Sequence, residues 1–107
     1  MKSNKKQQTC TQCPIALVAD LLGDIWTILI VRDLVPGPKR FNTLLASLSG
    51  VSTRTLSNKL KNLEGSGIVD KKTYNEKPPR VLYSLTQKGI ELNSVLKAMK
   101  KYGEKNL

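Results

Sequence analysis

The chain has 107 residues, a length typical of one small domain, and 39% of them are hydrophobic, enough for a thin core. Lys and Arg number 18 against 8 Asp and Glu, and the net charge of +10 favours a polyanionic partner such as nucleic acid. The composition argues against an enzyme, because histidine is absent, no glycine-rich phosphate loop occurs and the few acids are scattered.

The predicted elements begin after a polar N-terminal segment. Residues 1–12 contain lysine, glutamine and asparagine without apolar periodicity, so we expect a flexible arm there and one folded domain over residues 13–107. Pro14 suits the first position of a helix. Asp24 can cap a second helix, which is predicted to run from Ile25 to about Val35.

A helix-turn-helix is predicted in the middle of the chain. A third helix over residues 41–48 leads through a turn, in which Gly50 can take a positive φ, to a fourth helix over residues 53–65 capped by Ser52. Leucines at positions 56, 60 and 63 share one face of the fourth helix, and the opposite face is polar. This helix can therefore pack on a core and lie in a DNA major groove.

Two strands and a last helix complete the prediction. Residues 68–74 are predicted to form the first strand, and the two prolines of the loop at residues 75–79 cannot continue a ladder. Apolar residues alternate over 81–85 as a second strand, and Thr86 can cap the last helix. The order of elements predicts a mainly α fold with a small β-wing, a winged helix-turn-helix with five helices.

Positive charge is concentrated in the predicted helix-turn-helix and wing. Residues 39–80 contain nine basic residues against three acidic ones. Arginine and asparagine can read base edges, and hydroxyls at a helix start suit phosphates. The predicted DNA contacts are Lys39, Arg40, Ser52, Thr53, Arg54, Thr55, Ser57, Asn58, Lys61, Lys71, Lys72, Lys77 and Arg80. A plain helical hairpin with a solvated, charged wing stays the alternative interpretation.

Several spaced motifs resemble the HxlR-type branch of bacterial winged helix-turn-helix regulators, which is related to the MarR-like repressors. The matching stretches are Cys13-Pro14 and residues 22–29 (LGDIWTIL), 36–42 (PGPKRFN), 50–56 (GVSTRTL), 60–64 (LKNLE) and 78–86 (PPRVLYSLT) with Gly89. The resemblance implies a homodimeric transcription factor whose first and last helices supply the dimer contact. One departure is Ile25, where many members of the branch carry a basic residue before the tryptophan.

The predicted last helix also has a dimer-like pattern of its own. Apolar residues recur at spacings of three and four, as in a coiled-coil seam, although the same stripe would serve to pack the helix on its own domain. The predicted dimer interface consists of Ile15, Val18, Leu92, Val95, Leu96, Met99 and Tyr102. A two-fold dimer requires a palindromic operator.

Cys10 and Cys13 form a C-x-x-C pair with three open interpretations. They are ordinary thiols in a reducing compartment, or they sense oxidants or electrophiles, with Cys13 as the more reactive thiol because a helix N-terminus stabilises a thiolate. Oxidation would then join Cys13 to Cys10 or join two subunits. In the third interpretation, two chains share a zinc site of four thiolates. The resemblance favours sensing, since some HxlR-type regulators respond to such stress through the cysteine at this proline.

The predicted function is sequence-specific binding of double-stranded DNA by a homodimeric transcriptional regulator without a cofactor. The alternative is a winged-helix module that binds protein or RNA and senses no thiol chemistry, although five aromatic residues offer few stacking platforms for RNA bases. Nothing in the sequence resembles a secretory signal or a membrane-spanning run, so we expect a cytoplasmic protein.

Overall fold

Six helices and one β-hairpin make up the structure, a computed structural model that describes residues 13–107. In chain order the elements are α1 (Pro14–Leu21), α2 (Ile25–Leu34), α3 (Phe41–Ser47), α4 (Thr53–Gly65), β1 (Val69–Tyr74), β2 (Arg80–Leu85), α5 (Gln87–Ile90) and α6 (Asn93–Asn106). The predicted arm of residues 1–12, including Cys10, lies outside the described residues. The order confirms the predicted winged helix-turn-helix, mainly helical with a two-stranded antiparallel wing.

The capping residues hold the starts of three helices, as predicted. Asp24, Ser52 and Thr86 each accept a hydrogen bond from the backbone N–H three residues further along the chain, at 2.9, 3.0 and 3.1 Å. Each bond satisfies an N–H group that the first helical turn leaves without a partner. The starts of α2, α4 and α5 are therefore fixed by local sequence.

The core lies between the helix-turn-helix and the wing. Its most deeply buried side chains come from α2, the helix pair and the start of the wing: Ile30, Val31, Leu34, Leu44, Leu48, Leu56, Leu60, Leu63, Ile68 and Val69. Full burial of one such aliphatic side chain contributes about 1.5–3 kcal/mol to stability. The leucine face of α4 is thus anchored on this core, which leaves the opposite face of the helix free.

The predicted last helix is interrupted by a turn at residues 91–92. The N–H of Leu92 donates to the carbonyl oxygen of Gly89 at 3.0 Å, a bond of 3₁₀ type that tightens the chain. Leu92 is only 8% exposed as a result and belongs to the core. The interruption therefore separates a short helix packed beside the wing from the longer α6.

The wing is an antiparallel pair in which Val69 lies opposite Leu85 and Tyr74 lies opposite Arg80. Lys39, just before α3, adds a bridge to the wing through two backbone hydrogen bonds with Tyr83, at 2.8 and 2.9 Å. The start of the helix-turn-helix and the second wing strand are therefore joined directly, which fixes one relative to the other.

Within residues 13–107, no single helix has both the length and the apolar composition to cross a membrane. In the described part of the chain, one pair of helices, α1 and α2, meets those two conditions when taken together, and their axes are bent by 85° at the break between them.

Candidate nucleic-acid interface

The start of α4 is fixed by a turn and a cap. Gly50 has a φ of 91°, a conformation that residues with a side chain rarely adopt, and the N–H of Val51 donates to the carbonyl oxygen of Leu48 at 3.0 Å. Ser52 accepts from the N–H of Thr55 at 3.0 Å, and its hydroxyl donates to the Thr55 hydroxyl at 2.9 Å. The two hydroxyls therefore organise the helix start, whereas the hydroxyl of Thr53 has no hydrogen-bond partner among residues 13–107.

The outer face of α4 carries three of the predicted DNA contacts. Arg54, Asn58 and Lys61 are exposed, whereas Ser57 is half-buried at the edge of the face. No ion pair joins Arg54 or Lys61 to an acid among the described residues. The leucine anchor beneath them holds the helix in place, so these side chains extend from a rigid support.

Lys59 is the basic residue of α4 that does not belong to this outer face. Its ammonium group lies 3.0 Å from Asp24 Oδ2, and so links α4 to the start of α2. A signal for this placement exists in the sequence, because at 100° per residue Lys59 lies only about 60° from Leu56 on the helix circumference. The contact itself requires the tertiary structure, since the two residues are 35 positions apart.

Asp24 combines a helix cap with an interhelical ion pair. The two oxygens of its carboxylate accept from the N–H and the hydroxyl of Thr27 at 2.9 and 3.0 Å. Burial raises the pKa of this carboxyl, but the hydrogen bonds from Thr27 and Lys59 and the charge of Lys59 outweigh that effect. The pKa of Asp24 consequently lies below its ordinary value of 3.8.

The strand register separates the two adjacent lysines of the wing. Lys71 lies opposite Tyr83, whose side chain is buried, and Lys72 lies opposite Leu82. Because successive side chains point to opposite sides of a sheet, the two lysines start from opposite faces of the wing. Lys72 shares its face with the Tyr74–Arg80 pair, so Lys72 and Arg80 belong to the same surface.

Arg80 is the predicted DNA contact that has partners of its own within the wing. Its Nη2 lies 2.9 Å from Glu76 Oε2, and its guanidinium carbon lies 4.5 Å from the centre of the Tyr74 ring. Lys77, in the loop between the strands, is exposed without an ion pair within residues 13–107. The sequence did not indicate that Tyr74 and Glu76 would hold Arg80.

The two predicted contacts before α3 lie where the helix-turn-helix meets the wing. Arg40 is exposed at the N-cap position of α3, and Lys39 forms the backbone bridge to Tyr83. Of the nine basic residues in residues 39–80, only Lys59 and Arg80 have acidic partners in the described part of the chain. The remaining positive charges are available on α4, on the wing and at their junction.

A second surface of the molecule, formed by α1 and α6, is apolar. Neither α1 nor α6 has a fully buried residue, and Ile15 is 80% exposed, Met99 46% and Tyr102 65%. An open groove of about 840 Å³ lies between α1, α2 and α6, with Ile15, Val18, Val95 and Met99 in its lining. We call this apolar surface the α1/α6 face.

The structure corrects the predicted dimer interface at Leu92. This residue lies in the domain core, because the turn at residues 91–92 directs it inwards. Val95 and Leu96 pack partly against the same core. The exposed members of the predicted set are therefore Ile15, Val18, Met99 and Tyr102, all on the α1/α6 face.

Cys13 is an exposed free thiol at the N-cap of α1, directly before Pro14 at the first helical position. This is the placement that the sequence predicted. Within residues 13–107 no cluster of three or more His, Cys, Asp or Glu side chains is arranged to hold a metal ion. The zinc interpretation requires Cys10, which lies outside the described residues, and stays a hypothesis.

Comparison with known proteins matches the chain to regulators of transcription. The family model of the HxlR-like helix-turn-helix matches residues 21–107. An uncharacterised HTH-type transcriptional regulator from Synechocystis sp. is 50% identical over 91 residues, covering 85% of this chain and 67% of that protein. Among solved structures, a MarR-family regulator from Porphyromonas gingivalis has a TM-score of 0.86 at 33% identity, covering 97% of this chain and all of that one. The redox regulator HypR in its reduced form has a TM-score of 0.83 at 34% identity, covering 88% of this chain and 93% of that one.

Proposed function

The chain belongs to the HxlR-like helix-turn-helix family and is a transcriptional regulator, and we propose that it acts by binding double-stranded DNA as a homodimer. Its relatives are regulators and not enzymes, in agreement with the sequence prediction. The observation that carries the proposal is the arrangement of α4, whose leucine face is buried while Arg54, Asn58 and Lys61 extend outwards beside a basic wing.

The proposed division of labour follows from side-chain chemistry. Arg54 and Asn58 read base edges in the major groove, because guanidinium and amide groups make paired hydrogen bonds with guanine and adenine. The phosphates on either side of the groove are contacted by Lys72, Lys77 and Arg40. Such contacts determine the position and affinity of the protein on DNA rather than its sequence preference. Thr53 lies at the N-terminus of α4, where backbone N–H groups also attract phosphate.

The direct test compares nucleic acids over a range of salt concentrations. We expect the protein to bind duplex DNA with an affinity that falls linearly in a log–log plot against salt, because each neutralised phosphate releases counterions. Single-stranded RNA of equal length is the control and should bind more weakly at every salt concentration. Preferential binding of the RNA, or duplex binding that does not respond to salt, would contradict the proposal.

The proposed dimer forms through the α1/α6 face. The supporting observation is that both helices lack a fully buried residue, so a second copy would cover side chains that the monomer leaves in water. A two-fold dimer places its two copies of α4 about 34–36 Å apart, one turn of DNA, and so reads a palindromic operator. Binding-site selection from random duplexes tests this directly, since enrichment of single, unpaired half-sites would contradict a dimer.

We further propose that oxidants or electrophiles regulate DNA binding through Cys13. The thiol is exposed at the N-terminus of α1, one of the two helices of the proposed interface, and the similar regulator HypR has been solved in reduced and oxidised forms. We expect diamide to join Cys13 in a disulfide to a second thiol, either Cys10 or Cys13 of the second copy, and each of the two thiols loses one hydrogen to the reagent. Diamide should no longer release DNA from the Cys13→Ser variant. If diamide still releases DNA from this variant, Cys13 is not the regulatory residue.

A further inference from the structure

The contacts of Arg80 occupy the guanidinium group in the free protein. The Tyr74 ring lies opposite Arg80 in the strand register and stacks on its guanidinium, while the Glu76 carboxylate is 2.9 Å from Nη2. Only 35% of the Arg80 side chain is exposed. An arginine on a basic DNA-binding wing is thus neutralised by an acid four residues before it.

These contacts do not satisfy the guanidinium completely. Arg80 Nε is buried and has no hydrogen-bond partner within the described part of the chain. The Glu76 side chain is 49% exposed, and an ion pair that is open to solvent is weak. A DNA phosphate offers paired oxygens that match the fork of arginine donors better than a single contact to one carboxylate oxygen. The Arg80–Glu76 pair can therefore be exchanged for a phosphate contact.

We propose that Glu76 is an internal competitor for Arg80 that limits the affinity of the wing for DNA. Its carboxylate stands in the place of a phosphate oxygen on Nη2, and the Tyr74 ring supports the guanidinium in both states. Binding DNA through Arg80 then requires the ion pair to break. The free energy needed to break it offsets part of the free energy gained from the phosphate contact. This proposal depends on the DNA binding proposed above and adds Glu76 and Tyr74 to the residues that control it.

The experiment compares Glu76→Gln with Asp70→Asn, since each raises the net charge by one. Asp70 is a suitable control because it is exposed on the same face of the wing as Arg80 and has no ion pair among residues 13–107. With a random-sequence duplex, we expect Glu76→Gln to bind roughly 3- to 10-fold more tightly and to steepen the log–log salt slope by up to about 0.9, the value for a phosphate contact that the wild type makes only in part. Asp70→Asn should change affinity less than about twofold and leave the slope unchanged.

The same substitutions in an Arg80→Ala background complete the test. If Glu76 acts through Arg80, the gain from Glu76→Gln falls there to the level of Asp70→Asn. Equal effects of the two substitutions in the wild-type background overturn the proposal, and so does weaker binding by Glu76→Gln, which would mean that Glu76 positions Arg80 for DNA. The salt slope of Glu76→Gln alone decides the question if Arg80→Ala does not fold. Absence of duplex binding by the wild type would instead reject the proposed function.

Discussion

Arg54 is the exposed cation closest to the start of α4, where a recognition helix meets base edges. Arg54→Ala should weaken binding to the selected operator by about 1–3 kcal/mol and relax preference at one base pair, because a paired arginine–guanine contact is lost. Lys97→Ala is the matched control, since it removes the same charge from α6. Competition binding with operator variants measures both effects. An equal loss of affinity for all sequences would show that Arg54 contacts phosphates rather than bases.

Asp24 gives a prediction about pH. Its carboxyl has a lowered pKa in the folded state, so its contribution to stability is present above pH 3.8 and is lost as the pH falls through the lower, folded value. Asp24→Asn keeps a cap acceptor and removes the charge that pairs with Lys59. Because both side chains remain partly solvated, we expect a cost of at most about 1 kcal/mol at neutral pH, shrinking below pH 4.

Urea unfolding at pH 7 and pH 3 measures this difference. Asp24→Ala separates the two roles of the residue, since loss of the cap should add about 0.5–2 kcal/mol of destabilisation that persists at low pH. An Asp24→Asn variant whose deficit is the same at both pH values would show that the ion pair with Lys59 does not stabilise the fold.

At the scale of elements, α5 depends on one glycine. A Cβ at Gly89 would overlap the carbonyl oxygen of Ile68 and crowd the Leu85 side chain. Gly89→Ala should therefore destabilise the protein by about 1–3 kcal/mol despite the better helix propensity of alanine.

Gly103→Ala is the control for this substitution. A Cβ at Gly103, in α6, meets no atom within 4 Å, so alanine should be neutral or stabilise by up to about 1 kcal/mol. Thermal unfolding of the two variants measures the contrast. If both substitutions shift the midpoint of thermal unfolding in the same direction, the packing of α5 against the wing does not determine the effect of Gly89→Ala on stability.

The wing is the element in which sequence reasoning was least complete. Its strands and its proline-bearing loop follow from local sequence, but the sequence predicts the same role for the adjacent residues Lys71 and Lys72. The observed register assigns them to opposite faces, and Arg80 shares its face with Lys72 and Tyr74. Register is set by the pairing of the two strands and cannot be deduced from composition. A shift of one strand by a single residue would place every one of its side chains on the opposite face of the wing.

At the scale of the whole molecule, the α1/α6 face predicts the oligomeric state. Ile15→Asp should convert the proposed dimer to a monomer, because an unpaired carboxylate would be buried in an apolar interface while the monomer keeps this position 80% exposed. Ile90→Asp is the control, since Ile90 is a half-exposed apolar residue of α5 outside the α1/α6 groove. Light scattering at micromolar concentration measures the mass, and a wild-type protein that is already monomeric would contradict the interface.

The sequence by itself determined the order of elements as far as the second wing strand, the caps at Asp24, Ser52 and Thr86, the leucine anchor of α4 and the polar face opposite it. These features depend on interactions within a few residues or on the period of one helix, and both can be counted along the chain. The recognised motifs between Cys13 and Gly89 added the family, and the matched family model spans residues 21–107.

The tertiary structure alone decided which basic residues are free. The helical pattern already separates Lys59 from the outer face of α4, but its pairing with Asp24 across 35 positions is visible only in the folded chain. The same holds for the stacking of Arg80 on Tyr74 across the wing. Leu92 belongs to the core for the same kind of reason, since a tightened turn redirects an apolar stripe that appeared continuous. Charge and hydrophobicity belong to single residues, but availability depends on the groups that folding brings beside them. For Lys59 these come from a distant part of the chain, and for Arg80 and Leu92 from a strand pairing or a turn nearby.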